Sequence, residues 1–507
     1  MNKRLGTFVA IVLSALAFSI LSPAVIAGTD TGGPVLVDLR APATQEQLDA
    51  LAAKGLSIGV AYKNLPAVSG NLPHGRFAAV RNLDFVTGVR DDAARTLTSV
   101  TDVEAAGPAA MTSIANTFNL DFIDREETTA TGAGVYVAIL DAGLVPEWRN
   151  YLDESRVRID LGRSFTGRNG NPNPDQLEND RNGHGMATSA TVIGYKLHDA
   201  SENGGFLRDS ATGSPGDYLV PGVAPEATII PVRVCDVGIY CWDSSIYSGL
   251  DYVVGLKKGT EANGELMGKP IVINMSLGGP SSSEAEEALF ESVAEAGVLI
   301  VASAGNDGPN PMGWPGAYPV VISAGAGGWR KQWYGDQEEI NNQWWMDDVA
   351  EDDASIDEWF MVWWSGVEHK ELGQELDVVA PGRFILLPYL ESGRATPPQD
   401  PAPPDGQPVE YLFISGTSFS APMTTGVVAL MLSVNPGLTQ AKAEMILRQT
   451  ALPIPAGSWD AGFPFPHENA WDDSKSIDPG AGTQTGWGLI QADGAVKAAT
   501  SGKNKDK

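Results

Sequence analysis

Residues 134–144 read GVYVAILDAGL, a nearly continuous apolar run that ends in an aspartate. A strand with one wet face would alternate; a run that is apolar on both faces suits a parallel strand covered by helices above and below. Four similar runs follow: ATIIPVRV (227–234), IVINM (271–275), VLIVAS (298–303) and VVISA (320–324). Helical stretches separate them, GHGMATSATVIGYK, SSIYSGLDYVVGLKK and SSEAEEALFESVAEAG, with SAPMTTGVVALMLSV and TQAKAEMILRQTA later. This rhythm predicts an α/β fold, a doubly wound, mostly parallel sheet spanning residues 131–500.

Upstream, residues 28–93 read as a separate small α+β unit. PVLVDL is a strand, and TQEQLDALAAKG is a helix with Thr44 as N-cap and Gly55 as its stop. LSIGVAYKNL and PAVSGNL give two strands, PHGRFAAVRNL a short helix and DFVTGVR a last strand, the order of a split βαβ unit. Residues 1–27 carry Lys3 and Arg4, an apolar run from Phe8 to Leu21 and then Val25-Ile26-Ala27. This is the pattern of a secretory signal cut after Ala27, too short for a membrane span. No later run approaches the length of a span, so a secreted protein, extracellular or periplasmic, is expected. Residues 94–130 show a weaker pattern, as in a processed connector at the start of the mature chain, and 501–507 read as a flexible tail.

Two inserts interrupt the rhythm. Residues 329–375 are acidic and hold seven of the thirteen tryptophans. Such an insert is a self-packed cover over the domain or, alternatively, a lid or an extension of a cleft. Residues 391–410 are Pro-rich and read as an extended surface loop.

The hydrophobic share of 43% is that of a globular protein. A net charge of -29 would repel phosphate backbones and argues against nucleic-acid partners. The two cysteines, Cys235 and Cys241, sit in VCDVGIYC; export favours a disulfide, with two buried thiols as the alternative.

Ligand sites of open parallel sheets form at the C-terminal strand edge. Asp141 ends the first strand, His184 opens the first helix, Asn306 follows VLIVASAG, and Ser418 precedes the longest apolar helix within FISGTSFSAP. Acyl transfer needs this set. A serine hydroxyl needs a base, the imidazole needs a carboxylate to hold its tautomer, and the oxyanion needs donors already in place. Each group has an ordinary alternative: Ser418 as an N-cap, His184 as a structural histidine, Asp141 and Asn306 as turn residues. His74, His198, His369 and His467 lack a matching setting.

VAILDAGL, NGHGMATS, INMSLGG, SAGNDG and GTSFSAP, in the order Asp, His, Ser, resemble the motifs of subtilisin-like serine proteases (subtilases, peptidase S8 type) over about residues 130–495. The resemblance implies a subtilisin-like fold, a triad of Asp141, His184 and Ser418, and Asn306 as oxyanion donor. It implies that Ser276, Leu277, Gly278 and Gly279 pair with an extended substrate. Ser303, Ala304, Gly305 and Gly313 would line a roomy, uncharged pocket for a large apolar side chain. Residues 28–93 resemble the family's inhibitory propeptide, which would be a partner of the enzyme beside its peptide and protein substrates. No cofactor is implied for the chemistry; a structural calcium fits the acidic composition, but its position stays unknown. Ala142 stands where the family has Thr or Ser, and Met186 where Thr is usual beside the base; both bear on support around the triad. The resulting expectation is a secreted, self-processing serine endopeptidase. The alternatives are an acid peptidase on the same fold, using Glu and Asp with Ser, or an inactive exported binding protein.

Overall fold

The computed structural model describes residues 32–97, 103–105, 117–167, 172–173, 176–198, 217–236, 240–308, 310–329, 359–390, 409–454 and 485–503. The expected export signal, most of both inserts and the end of the tail therefore lie outside the described residues.

The first unit runs β1 (Gly33–Leu39), α1 (Gln45–Ala53), β2 (Ser57–Ala61), β3 (Ala67–Leu72), α2 (Phe77–Arg81) and β4 (Val86–Asp91). Its four strands pair antiparallel in the order β2-β3-β1-β4. Thr44 starts α1 through a capping box with Gln47, each side chain accepting the other's backbone N–H. The unit has its own core of Val35, Val37, Leu51, Val68, Leu72 and Val80. It is followed by β5 (Ala94–Leu97), β6 (Val103–Ala105) and the short α3 (Phe118–Asp121).

The larger unit begins with β7 (Tyr136–Asp141), β8 (Arg163–Ser164), α4 (His184–Ile193), β9 (Gly194–His198), β10 (Asp217–Pro221), β11 (Thr228–Arg233) and β12 (Tyr240–Trp242). Then come α5 (Asp243–Lys258), β13 (Ile271–Met275), β14 (Leu277–Gly278), α6 (Glu284–Glu295), β15 (Val298–Ser303), β16 (Ile322–Trp329) and β17 (Trp359–Met361). The last elements are β18 (Val378–Pro381), β19 (Ile385–Leu390), β20 (Val409–Ile414), α7 (Thr417–Val434), α8 (Gln440–Thr450) and α9 (Ala492–Lys503). An eight-stranded sheet has the order β17-β16-β15-β13-β7-β11-β8, with β18 beside β16. All its pairings are parallel except β16 with β17. The expected doubly wound α/β sheet is therefore present, its central strands buried on both faces.

α7 is long and apolar enough to cross a membrane, but 89% of it is buried inside the protein, where it packs on β13, β15, β16 and β18. At Gly426 an added methyl carbon would lie 2.5 Å from Val223, so the absent side chain sets the depth of packing.

Three sequence expectations shift. The end of GHGMATSATVIGYK is strand rather than helix, because Gly194 turns the chain at φ 86° with Val220 O only 2.4 Å from where a Cβ would stand. The VVISA strand starts two residues later and runs on through GAGGW; Val321 belongs instead to a turn closed on Tyr318 O. The ends of the acidic segment 329–375 are part of the domain. Trp329 and Trp359 are buried, and an aromatic set joins Phe122 to both rings at 5.2 and 5.0 Å. Glycine is needed in β16 where the Trp359 ring comes close: a Cβ at Gly327 would meet the ring at 2.5 Å. Trp359→Ala, made in a chain silenced at Ser418, is expected to destabilise the protein by about 3–5 kcal/mol. Urea titration checks this, and a loss below about 1 kcal/mol would show that the ring adds little packing.

Candidate active site

β7, β13 and β15 run parallel and in register, Ile139 opposite Asn274 and Met275 opposite Ala302. Their C-terminal ends therefore deliver Asp141, Ser276 and Asn306 to one edge. α4 reaches the same edge by close approach. A Cβ at Gly185 would lie 2.2 Å from Gly143 O, so glycine after His184 lets the first helical turn rest on the turn that follows Asp141. His184 Nδ1 then lies 2.9 Å from each oxygen of the Asp141 carboxylate. Ala142 N–H donates to Oδ1 at 2.6 Å, and the Thr188 hydroxyl stands 3.5 Å from Oδ2.

Both members of this pair are buried, Asp141 at 0% and His184 at 1% exposure, so the low local dielectric strengthens the hydrogen bond between them. A carboxylate facing Nδ1 keeps the imidazole proton on that nitrogen and leaves the Nε2 lone pair to act as a base. His184 Nε2 is buried and has no hydrogen-bond partner among the described residues. The turn before His184 is held by Asp180, whose carboxylate accepts the N–H groups of Asn182 and Gly183 at 2.9 Å each. Burial pushes the Asp180 carboxyl up to about 6, against the opposing pull of those N–H groups and of Arg233.

Ser418 sits in the first turn of α7, after Gly416. Pro422 stands four residues on, where a helix would donate an N–H to the Ser418 carbonyl, and proline has none. The freed carbonyl accepts the Ser276 hydroxyl at 2.7 Å, which ties α7 to the end of β13. In return the Ser418 hydroxyl rests on Ser276 O at 3.3 Å. The His184 ring lies 5.7 Å from the ring of Phe419, the neighbour of Ser418.

Asn306 is oriented by Thr417, whose N–H and hydroxyl both donate to Oδ1, at 2.9 and 2.8 Å. Gly305 N–H donates to that same hydroxyl oxygen at 3.2 Å. The amide nitrogen is thereby turned the other way. A point at the Cβ position that Gly416 lacks lies 3.4 Å from Asn306 Nδ2 and 3.6 Å from Ser418 N, so two donors border one small space.

Gly279 and Trp314 exchange both backbone hydrogen bonds, at 3.0 and 2.9 Å, and Gly313 N–H donates to Ala304 O at 3.0 Å. Gly278, Gly279, Ala304, Gly305 and Gly313 therefore gather into one wall, where a Cβ at Gly305 would lie 3.3 Å from Gly313 N. Ser303 lies buried in β15, opposite Ala324. The free edge of this wall is taken by β5: Leu97 pairs with Leu277 and Thr96 with Gly278, and on its other side β5 pairs with β12. The start of the connector expected at 94–130 is thus a strand wedged into a groove. Four residues with no alternation, ARTL, carry no strand signal of their own; partners on both sides create it. Cys235 is joined by a disulfide to Cys241, the middle residue of β12.

Thr417, Pro422 and Asp180 were not singled out from sequence, although GTSFSAP and NDRNG contain them. Met186, at the position of the expected departure, is buried in the core, and Asp141 keeps the Ala142 N–H whatever side chain stands there. No group of three His, Cys, Asp or Glu side chains suited to a metal occurs among the described residues, so no calcium position is assigned.

Comparison with known proteins gives the family. Residues 132–488, well over half of the chain, match the Subtilase family of peptidases. The chain belongs to the subtilase family. Among curated subtilases it is 26% identical to subtilisin DY of Bacillus licheniformis over 324 residues, 63% of this chain and 84% of that protein. It is 27% identical to the cell wall-associated protease of Bacillus subtilis (strain 168), over 72% of this chain but 31% of that one. The extracellular serine proteinase of Thermus sp. (strain Rt41A) is 27% identical, over 66% of this chain and 62% of that protein. Among solved structures, fervidolysin from Fervidobacterium pennivorans, a keratinolytic enzyme related to subtilisin, superposes with a TM-score of 0.55 at 20% identity, over 93% of this chain and 62% of that one. At that identity the likeness speaks for the fold. As a subtilase the protein is a serine peptidase by family, with chemistry that needs no cofactor.

Proposed function

We propose that this subtilase is an exported serine endopeptidase, made as a precursor that cuts itself. The observation that carries the reading is the buried Asp141–His184 pair, whose second imidazole nitrogen is unpartnered where α4 packs on the helix that bears Ser418. The Ser418 hydroxyl turns from Ser276 O toward His184 Nε2, gives up its proton there and attacks the peptide carbonyl carbon. The tetrahedral oxyanion takes hydrogen bonds from Ser418 N–H and Asn306 Nδ2. Such a donor typically contributes about 10²–10³ in rate. Collapse breaks the C–N bond, and the leaving amine takes the proton from Nε2. Water then attacks the acyl-enzyme, passes a proton to Nε2 and releases acid and free serine. Asp141 stays ionised and stabilises the imidazolium.

Ala304, Gly305 and Gly313 suit a large apolar side chain next to the cut bond, and Ser276–Gly279 suit strand addition by an extended substrate. Residues 28–93 act as propeptide and inhibitor, with residues 1–27 directing export. The relatives named extracellular and cell wall-associated are consistent with that route.

A fluorophosphonate probe tests the proposal, since it bonds to an activated serine oxygen with loss of fluoride. One label per processed chain, on Ser418, is expected, and none in His184→Ala. Labelling should slow as the solution is acidified, because a histidine base works only when neutral. Faster labelling in acid would instead favour the acid-peptidase reading, and a folded chain that takes no label at any pH would be an inactive scaffold.

A further inference from the structure

We propose that Asp243 and Glu286 form a subsite for an arginine side chain, four residues before the bond that is cut; this rests on Ser418 being the nucleophile proposed above. Arg95 of β5 is 3% exposed. Its Nε donates to Asp243 Oδ1 at 2.7 Å, its Nη2 to Glu286 Oε1 and its Nη1 to the Trp314 carbonyl. Both carboxylates are nearly inaccessible to water. Burial opposes the guanidinium charge, but Asp243 and Glu286 more than offset it and raise the Arg95 pKa.

Every acceptor in this pocket comes from the larger unit. Asp243 is the first residue of α5, Glu286 lies in α6, and Trp314 belongs to the groove wall. Glu286 is also fixed from within that unit, since the Tyr318 hydroxyl donates to Oε2 at 2.7 Å. The only other cation on Asp243 among the described residues is Arg90 of β4, at 2.7 Å. When the first unit leaves together with β5, the two carboxylates lose both cations and part of their cover. Ionised groups left so are strongly unfavourable until a cation returns. Three acceptors spread around a planar fork suit arginine, whereas lysine offers a point charge.

The register fixes where that arginine stands. Cys241 faces Arg95, Gly278 faces Thr96 and Leu277 faces Leu97. A peptide continuing along the same line meets Ser276 with the third residue after the arginine. The Ser276 carbonyl is the group on which the Ser418 hydroxyl rests. The bond following that residue is the one presented for attack, so the arginine is the fourth residue back.

The test uses the full chain, expressed and left to process itself. Internally quenched peptides differing only at the fourth residue before the cut (arginine, citrulline or leucine) are compared by kcat/KM, with digestion of unfolded casein in parallel. Arginine is expected to exceed both others by about 30-fold or more, the effect of satisfying a buried charge. Citrulline keeps the shape and loses the charge, so it isolates the carboxylates' part. Glu286→Gln should shrink the ratio to a few-fold; the ratio in the unmodified chain stands as evidence even where that variant does not fold. Equal rates for arginine and citrulline, in a preparation that digests casein, would overturn the subsite. A preparation that digests neither peptides nor casein would overturn the serine-peptidase reading beneath it.

Discussion

Replacing Ser418 with alanine is expected to leave the precursor uncut and to lower peptide hydrolysis by about a millionfold, the typical loss when the nucleophile of such a unit is removed. The Ser418 side chain is small, sits buried at the head of α7 and holds Ser276 O through a long hydrogen bond, so its truncation should scarcely disturb the fold. The Ser276 hydroxyl bonds to the Ser418 backbone carbonyl, which alanine keeps. The two forms are compared by gel and by mass spectrometry of the new N-terminus. The unmodified chain should yield a fragment starting after position 98, three residues beyond Arg95, by the register of β5 on β14. If Ser418→Ala is cut at the same place and to the same extent, self-maturation is wrong and another protease does the work.

Asp141→Asn is the second large effect. The amide can still occupy the space, but it presents a donor where the imidazole Nδ1–H needs an acceptor, and it cannot stabilise an imidazolium. The expected loss is about 10⁴ in kcat with little change in KM, the typical effect of imposing the wrong tautomer. Thermal melting should move by only a few degrees, because Ala142 N–H still has an oxygen to donate to. A variant that keeps a tenth or more of its activity would remove Asp141 from the mechanism, whatever its distance from His184.

Much of this was legible in the sequence because the central strands are apolar on both faces. VYVAIL, IVINM and VLIVAS read as strands without context, and their last residues locate the edge where the chemistry gathers. Asp141, His184, Asn306 and Ser418 could then be named from residue type and place in the rhythm. What escaped depends on pairing across long sequence distances. β5 is a strand only because β12 and β14 flank it, 148 and 182 residues further on by the Ala94–Trp242 and Thr96–Gly278 pairs. The Trp-rich segment read as an insert because its acidic middle hides the fact that both ends complete the main sheet. Pro422 was visible all along, yet its meaning lies in a hydrogen bond the helix does not make, and Ser276 supplies the partner from far away. The cluster behind the proposed arginine subsite was invisible for the same reason: Arg95, Asp243 and Glu286 meet only in the folded chain.

The two units also exchange hydrogen-bonding partners. Asp92, at the end of the first unit, accepts the backbone N–H and the hydroxyl of Ser244 at 3.0 and 2.7 Å, and so caps α5, whose own Trp242 offers no capping side chain. Asp251 of α5 in turn accepts the N–H groups of Lys63, Asn64 and Leu65. Each unit thus carries a helix end or a loop that only its companion completes. If the smaller unit is released, as proposed, the start of α5 is handed over to water. The persistence of the larger unit then rests on the height of the barrier to unfolding. Under the proposed maturation such a step would act as a ratchet: the separated enzyme would keep its structure for as long as that barrier holds, but would refold without the partner groups of the smaller unit.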